Sequence, residues 1–528
     1  MLTFLQLGKF LPPILLGAAG ALLLAPLACS LTRSKANCES TTECKEAFGT
    51  GFVCSKEGIC EQAAIEASCQ TQTPHNLLLS PEKNKNRIVL GSLLRAAGKE
   101  GARHDSVQLA LESVNTFLER NESQNKNNFP ELENLRFGLV QCDHEGNTEE
   151  IANLAQYLVE TLEVPAIIGP ASSSGTDRAF RRVNLGAEEV ELQKVLFMSP
   201  SATSVSLSSL ETTQPGVLWR TAPMDDGQGL LMGTYAKNSS VKFAVIYEDT
   251  PYGKGLYKEL MATSGSTCAN CSVTFPADKS DAAALGLALA TDEARAALEG
   301  AEIVFFIGAQ EKHIKAMMGR LGEPEFKGRV FFFSDAAASQ DHVRVVPADY
   351  YKNVVGTRTR SPKDTEALRL FTSAYSFRHE EPPLIHSFTA NAYDAAWLVL
   401  VSAMGARLSG KEITPSTLAR HLGHLSDTHW ASLPEKQCPS KFQDENCPPI
   451  TLSANNLPLI LRTLAQRGAV DVEGASGDLN YCPNSEELER SSAAFELWHL
   501  EPLEDQMGYE IVADAAPLPP QLLPPCPD

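Results

Sequence analysis

Two passages in this chain stop a run of apolar residues abruptly in small hydroxyl residues, and they restrict the fold more than anything else in it. The first is Pro165-Ala166-Ile167-Ile168-Gly169-Pro170-Ala171-Ser172-Ser173-Ser174-Gly175-Thr176. The second is Val195-Leu196-Phe197-Met198-Ser199-Pro200-Ser201-Ala202-Thr203-Ser204. An apolar run without alternation reads as a strand buried on both faces, as in a parallel sheet. Open parallel sheets bind ligands at the carboxyl ends of their strands. Hydroxyls and backbone N–H groups there suit a carboxylate or another small polar group. They do not supply a nucleophile with its base, so the pattern points to binding rather than catalysis.

Strand–helix alternation surrounds both passages. Residues 87–94 read as a strand, 106–118 as a helix, 135–140 as a strand and 148–162 as a helix capped by Thr148. A second cycle starts near Thr221, with strands at 242–247, 271–275, 303–307 and 330–333, the last ending in Ser334-Asp335. Helices at 253–261, 282–298 and 311–321 separate them, and helices at 368–377 and 390–404 and a strand at 495–500 follow. This is the pattern of an α/β fold with a parallel sheet, repeated as two similar lobes. Residues 70–86 read as a polar linker and 408–470 as a long irregular segment holding Cys438 and Cys447.

At 528 residues the chain has room for two or three domains. Its 45 Lys+Arg against 65 Asp+Glu give a net charge of -20, which argues against nucleic acid, whose binding needs a basic footprint. The N-terminus reads as a secretory signal: Lys9, then an apolar stretch ending at Ala25-Pro26-Leu27-Ala28-Cys29-Ser30. An uncleaved anchor is the alternative. Ala28-Cys29 fit a bacterial lipobox, in which the cysteine is lipidated and becomes the first mature residue; Pro26 stands where Leu is usual. Export and anchoring at a membrane surface are therefore expected.

Cysteine usage agrees with export. Of 13 cysteines, setting Cys29 aside leaves 12. Cys38, Cys44, Cys54 and Cys60 lie in a polar segment too poor in apolar residues for a core, which reads as a disulfide-stapled module with three connectivities open. Cys268-Ala269-Asn270-Cys271 has a redox spacing, but it precedes a strand instead of opening a helix, so it reads as a local structural disulfide. Cys142, beside Asp143 and His144, reads as buried or disulfide-bonded at a strand end. No complete zinc, phosphate-loop, nucleophile-elbow or metalloprotease motif is present, so no metal, cofactor or catalytic residue is expected.

The order of motifs resembles the type I periplasmic binding proteins, in the branch that binds leucine, isoleucine and valine. Leu109-Ala110-Leu111-Glu112-Ser113-Val114-Asn115 is similar to the family's first helix, and the two hydroxyl passages to its ligand loops. Trp219-Arg220-Thr221-Ala222-Pro223 with Asp226-Gly227-Gln228-Gly229 resembles the first interlobe crossing. Ala244-Val245-Ile246-Tyr247-Glu248-Asp249 with Tyr252-Gly253-Lys254-Gly255 resembles the start of the second lobe, and Gly474-Ala475-Ser476-Gly477-Asp478-Leu479 the closing crossing.

The resemblance implies an α/β fold of two doubly wound parallel-sheet lobes joined by three crossings. The first lobe spans 87–221 and 357–471, with an insertion at about 408–470, and the second spans 222–356 and 472–512. They follow a signal at 1–28 and a lipidation site and Cys-rich module at 29–69, and precede a Pro-rich tail at 513–528. It also implies ligand contacts. Ser173, Ser201 and Thr203 of the first lobe would meet a carboxylate and ammonium, Tyr252 would close from the second, and Asp335 would pair the ammonium. Ala309 stands where the family has an aromatic wall, and Lys99, Arg103 and His104 make the loop before the first helix more polar than the pattern. The implied function is capture of an amino acid or similar small polar solute for an ABC importer, without chemistry. Ligand sensing by a surface lipoprotein is a second reading, and thiol exchange through Cys268 and Cys271 a third.

Overall fold

The computed structural model describes residues 37–96, 98–123, 128–186, 192–210, 216–266, 270–277, 282–426, 449–481, 494–503 and 509–513. The signal segment, Cys29, Cys268, Cys438, Cys447 and the tail beyond 513 lie outside them.

The Cys-rich segment folds as helix α1 (Thr41–Phe48) and a hairpin of β1 (Phe52–Cys54) and β2 (Cys60–Gln62). Its bonds are Cys38–Cys54 and Cys44–Cys60, one of the three connectivities left open by sequence. The module is seated on the first lobe. Lys45 Nζ donates to the Leu162 carbonyl (2.7 Å), and Tyr157 Oη donates to the Ala64 carbonyl (2.9 Å). A third disulfide, Cys69–Cys142, ties its end to the sheet, so Cys142 is both buried and bonded.

The first sheet contains β3 (Thr71–Thr73), β4 (Arg87–Ser92), β5 (Arg136–Gln141), β6 (Ala166–Ile168), β7 (Leu196–Ser199) and β8 (Leu218–Arg220), in the order β3-β5-β4-β6-β7-β8. All neighbours run parallel except β3, which pairs antiparallel with β5. Residues 70–86 are therefore not a linker. β3 is an edge strand, and Leu77 and Leu78 are buried in the first-lobe core. Polar side chains disguised this, because an edge strand needs few apolar residues.

Helix α2 (Gly98–Ser123) starts two turns earlier than expected, so Arg103 and His104 are helical rather than in a loop. Arg103, Val107, Ala110 and Val114 share one buried face, and the charged residues at its start hid the period. Helix α3 (Thr148–Gln156) is capped by Asn147, whose side chain accepts from the Glu149 and Glu150 N–H groups; Thr148 is its first residue instead. Helix α4 is Ser173–Asn184. Helix α5 (Asp225–Ser239) and helix α6 (Pro251–Ser264) belong to the second lobe.

The second sheet takes β9 (Phe243–Glu248), β10 (Ser272–Phe275), β11 (Ile303–Ile307), β12 (Val330–Phe333) and β13 (Val354–Thr359). The chain then returns to the first lobe through the buried helix Thr389–Leu408. The described parts of the segment expected to be irregular, up to 426 and from 449, also form first-lobe structure. Helices Pro415–Gly423 and Leu457–Arg467 put Leu418, Leu422, Ile460 and Leu461 into that core.

Strands β14 (Ile450–Thr451), β15 (Val472–Gly474) and β16 (Gly477–Asp478) make a small sheet. Its turn is fixed by the Asp394 carboxylate, which accepts from the Ala475 N–H (2.8 Å) and the Ser476 N–H (2.7 Å). Leu479 and Tyr481 still pack in the first lobe, so the return to the second lobe comes after Tyr481 rather than at 472. Strands β17 (Phe495–Pro502) and β18 (Tyr509–Ala513) complete the second sheet in the order β10-β9-β11-β12-β13-β17-β18. The end of β18 takes in residue 513, the first of the expected tail.

Candidate functional site

The carboxyl ends of β6 and β7 face those of β9, β11 and β12 across a cleft. After β6, Gly169 adopts φ +100°, and a Cβ there would sit 3.0 Å from the Leu93 carbonyl oxygen, so only glycine fits. The chain then turns into Ser172, whose hydroxyl accepts from the Gly175 N–H (3.2 Å) and caps α4. Ser173 is the first residue of α4, and its hydroxyl accepts from the Ser204 N–H (3.1 Å). After β7, Ser201 Oγ donates to the Ala171 carbonyl (2.8 Å). Ser172, Ser173 and Ser201 are thus fixed on backbone groups.

The second lobe supplies the acids. Helices α5 and α6 pack closely because Gly229 faces Glu259; a Cβ at Gly229 would lie 2.3 Å from the Glu259 side chain. That approach sets Tyr252 of α6 near Asp225 and Gln228 of α5. Tyr252 Oη donates to Asp335 Oδ1 (2.5 Å), and Gln228 Nε2 donates to the same oxygen (3.0 Å) and to Asp225 Oδ1 (2.9 Å). Gln228 Oε1 accepts from the Asp335 N–H (3.0 Å) and from Thr357 Oγ1 (2.8 Å). One glutamine therefore fixes α5, the end of β12 and β13 around a carboxylate pair.

Electrostatics follow from burial. Asp225 has its carboxyl pushed well above the usual range, first by burial and then by the Asp335 charge; the Thr203 hydroxyl and Arg220 oppose this. Burial and the same two acids push the Tyr252 phenol up.

All five residues expected at the site, Ser173, Ser201, Thr203, Tyr252 and Asp335, line one cavity of about 40 Å³, room for ordered water. Arg103 also lines it and was not among them. Its Nη1 donates to Ser201 Oγ (3.1 Å), its Nε donates to the Ser387 carbonyl (3.0 Å), and its guanidinium lies 5.1 Å from the Phe388 ring centroid. It is 3% exposed. Burial holds its pKa down, while the charges of Glu100 and Asp335 act to raise it. The signal in the sequence was a cation four residues before Val107, on the apolar stripe of α2. Gln228 and Asp225 were also missed, although they belong to the crossing motif around Gly227 and Gly229.

The lobes meet around this cavity. Ser204 Oγ donates to the Pro251 carbonyl (3.3 Å), and Ser387 Oγ donates to the Asp335 carbonyl (3.1 Å). At the first crossing, Thr221 Oγ1 donates to the Asn391 carbonyl (2.8 Å), and Asn391 Nδ2 donates to the Thr221 carbonyl (2.7 Å). Cys271 is buried just before β10 and lines no part of the cavity.

Residues 127–433, more than half of the chain, match the model of a family described as periplasmic binding protein. No curated protein matches the chain. Among solved structures, the branched-chain amino acid transporter substrate binding protein LivJ of Streptococcus pneumoniae, in complex with isoleucine, is 18% identical with a TM-score of 0.53. That match covers 81% of this chain and 100% of LivJ. The leucine binding protein LivK of Thermotoga maritima is 16% identical with a TM-score of 0.55, covering 80% and 98%. A solute binding protein of an ABC transporter from Rhodopseudomonas palustris, in complex with 3,4-dihydroxy benzoic acid, is 13% identical with a TM-score of 0.53, covering 83% and 99%. These likenesses are in the fold.

Proposed function

This chain belongs to the periplasmic binding protein family, and on that premise we propose that it captures an α-amino acid or similar small zwitterion outside the cytoplasm for an ABC importer. One observation carries the choice of ligand. Arg103 and Asp335 are opposite charges lining one cavity. Such a pair suits a molecule with a carboxylate and an ammonium at short separation. Ser173, Ser201 and Thr203 would receive it from the first lobe, and Tyr252 would close over it from the second. The solved relatives bind either branched-chain amino acids or aromatic acids. Aromatic monocarboxylates lack the ammonium that Asp335 would pair.

The test is a thermal-shift screen of the chain from residue 29 onward against the twenty amino acids and 4-hydroxybenzoate. A ligand at hundredfold excess over its dissociation constant stabilises the protein by about 2.7 kcal/mol. At least one α-amino acid is expected to raise the midpoint, and Asp335→Asn is expected to weaken that ligand at least tenfold. A response to 4-hydroxybenzoate alone would overturn the zwitterion reading. The lipid anchor is proposed from Ala28-Cys29, and Cys29→Ser is expected to release the protein from the membrane fraction.

A further inference from the structure

The ligand cavity has a polar neighbour. A second cavity of about 30 Å³ is lined by Arg95, His144, Gln310 and Glu311, and it shares Glu100, Ser172 and Ala309 with the first. The shared side chain on the second-lobe wall, just past β11, is thus a single methyl group. A large residue at 309 would wall the two spaces apart; alanine leaves them adjoining.

The acids and the histidine of the second cavity have partners. Glu100 Oε2 accepts from the Arg95 backbone N–H (3.2 Å), and Glu311 Oε1 accepts from Lys315 Nζ (2.6 Å). His144 Nδ1 accepts from the Gly146 N–H (3.1 Å), which leaves the ring proton on Nε2, 3.3 Å from the Leu93 carbonyl oxygen. Arg95 Nε is different. It is buried and has no hydrogen-bond partner among the described residues. A buried donor without an acceptor is costly, and a ligand that brings an acceptor removes that cost.

We propose that the ligand's side chain passes Ala309 into this second cavity and ends at Arg95 in a hydrogen-bond acceptor, a carboxylate or a carboxamide. The inference rests on the amino-acid reading above, and it narrows the ligand to long, polar-ended amino acids rather than aliphatic ones.

Calorimetric titration with L-glutamate, L-glutamine, L-leucine and L-lysine tests it. Glutamate or glutamine is expected to bind at least tenfold more tightly than leucine, the scale of a hydrogen bond to a charged group. Ala309→Phe is expected to cancel that advantage by filling the passage. Arg95→Leu, at a partly exposed position, serves if the phenylalanine variant does not fold, and is expected to bring glutamine within threefold of leucine. Tightest binding of leucine or lysine, or equal weakening of every ligand by Ala309→Phe, overturns the inference and leaves amino-acid capture standing. Failure of every α-amino acid to bind overturns both.

Discussion

The serines that the first lobe offers the cleft are already bonded to backbone, whereas the second lobe offers longer groups tied to one another. Ser173 and Ser201 each engage a main-chain atom within their own lobe. Tyr252, Gln228, Asp225 and Asp335 form a chain of side-chain bonds spanning α5, α6 and the end of β12. The first lobe is also the stapled one, since the disulfides among the described residues lie in it or in the module seated on it. One half of the clamp is a fixed cradle. The other carries acids whose charge state depends on burial and on each other, so the two halves should respond differently to covalent, acid and local perturbation.

The largest expected effect breaks the staple. Cys69–Cys142 closes 73 residues of chain. In the chain-entropy model a loop of that length is worth about 4 kcal/mol. Replacing both cysteines with alanine is expected to lower urea-unfolding stability by that order. Amide exchange at Thr71–Thr73 should rise as β3 loses its tether at the sheet edge. Unchanged exchange at β3 would show that its pairing with β5 holds that edge without the bond.

The parallel sheets were legible because buried strands are written as unbroken apolar runs, as in Ala166-Ile167-Ile168 and Phe331-Phe332-Phe333. The five residues expected at the site came from the family resemblance, and the structure brings them to one cavity. What escaped was written in other terms. β3 has a polar sequence, Thr71-Gln72-Thr73, and is a strand only because β5 and a disulfide hold it. Arg103 reads as a loop residue in the sequence, whereas its helix begins at Gly98. Gln228 gave no sign of its role, because a glutamine that bridges two carboxylates has no sequence pattern; only the packing of α5 on α6 reveals it.

Acid sharpens the contrast at an intermediate scale. His104 of the first lobe is buried, and burial lowers its pKa from 6.5 to about 4, with Asp143 opposing. Gln108 Nε2 lies 2.8 Å from His104 Nε2 and donates to it, so protonation at that nitrogen would break the bond. The folded state therefore holds this ring neutral. Its contribution is full above the unfolded pKa of 6.5 and is lost as pH falls toward 4, about 2 kcal/mol between pH 7 and pH 4.5. Asp225 of the second lobe runs the other way. Its pKa is raised, so its contribution is full below 3.8 and is lost as pH rises through the folded value. Urea unfolding of the wild type and His104→Leu at the two pH values is expected to show a smaller acid loss in the variant. Equal losses would mean that His104 is not the acid-sensitive group of the first lobe.

The smallest effect probes the second lobe alone. Tyr252→Phe keeps the ring over the cavity and removes one hydroxyl. Asp335 Oδ1 retains its bond from Gln228 Nε2, so the carboxylate stays placed but loses a neutral donor. A hydrogen bond to a charged group contributes about 1.5–3 kcal/mol, and the retained bond and the ligand's own ammonium offset part of the loss. Amino-acid binding is therefore expected to weaken by less than about tenfold, read by calorimetry, against at least tenfold for Asp335→Asn. The comparison also separates two roles for the tyrosine. If Phe binds as well as Tyr, the ring acts only as a cover, and the hydroxyl serves the acid pair of the ligand-free lobe. A loss as large as that of Asp335→Asn would mean that the hydroxyl, rather than Gln228, places the carboxylate for the ligand.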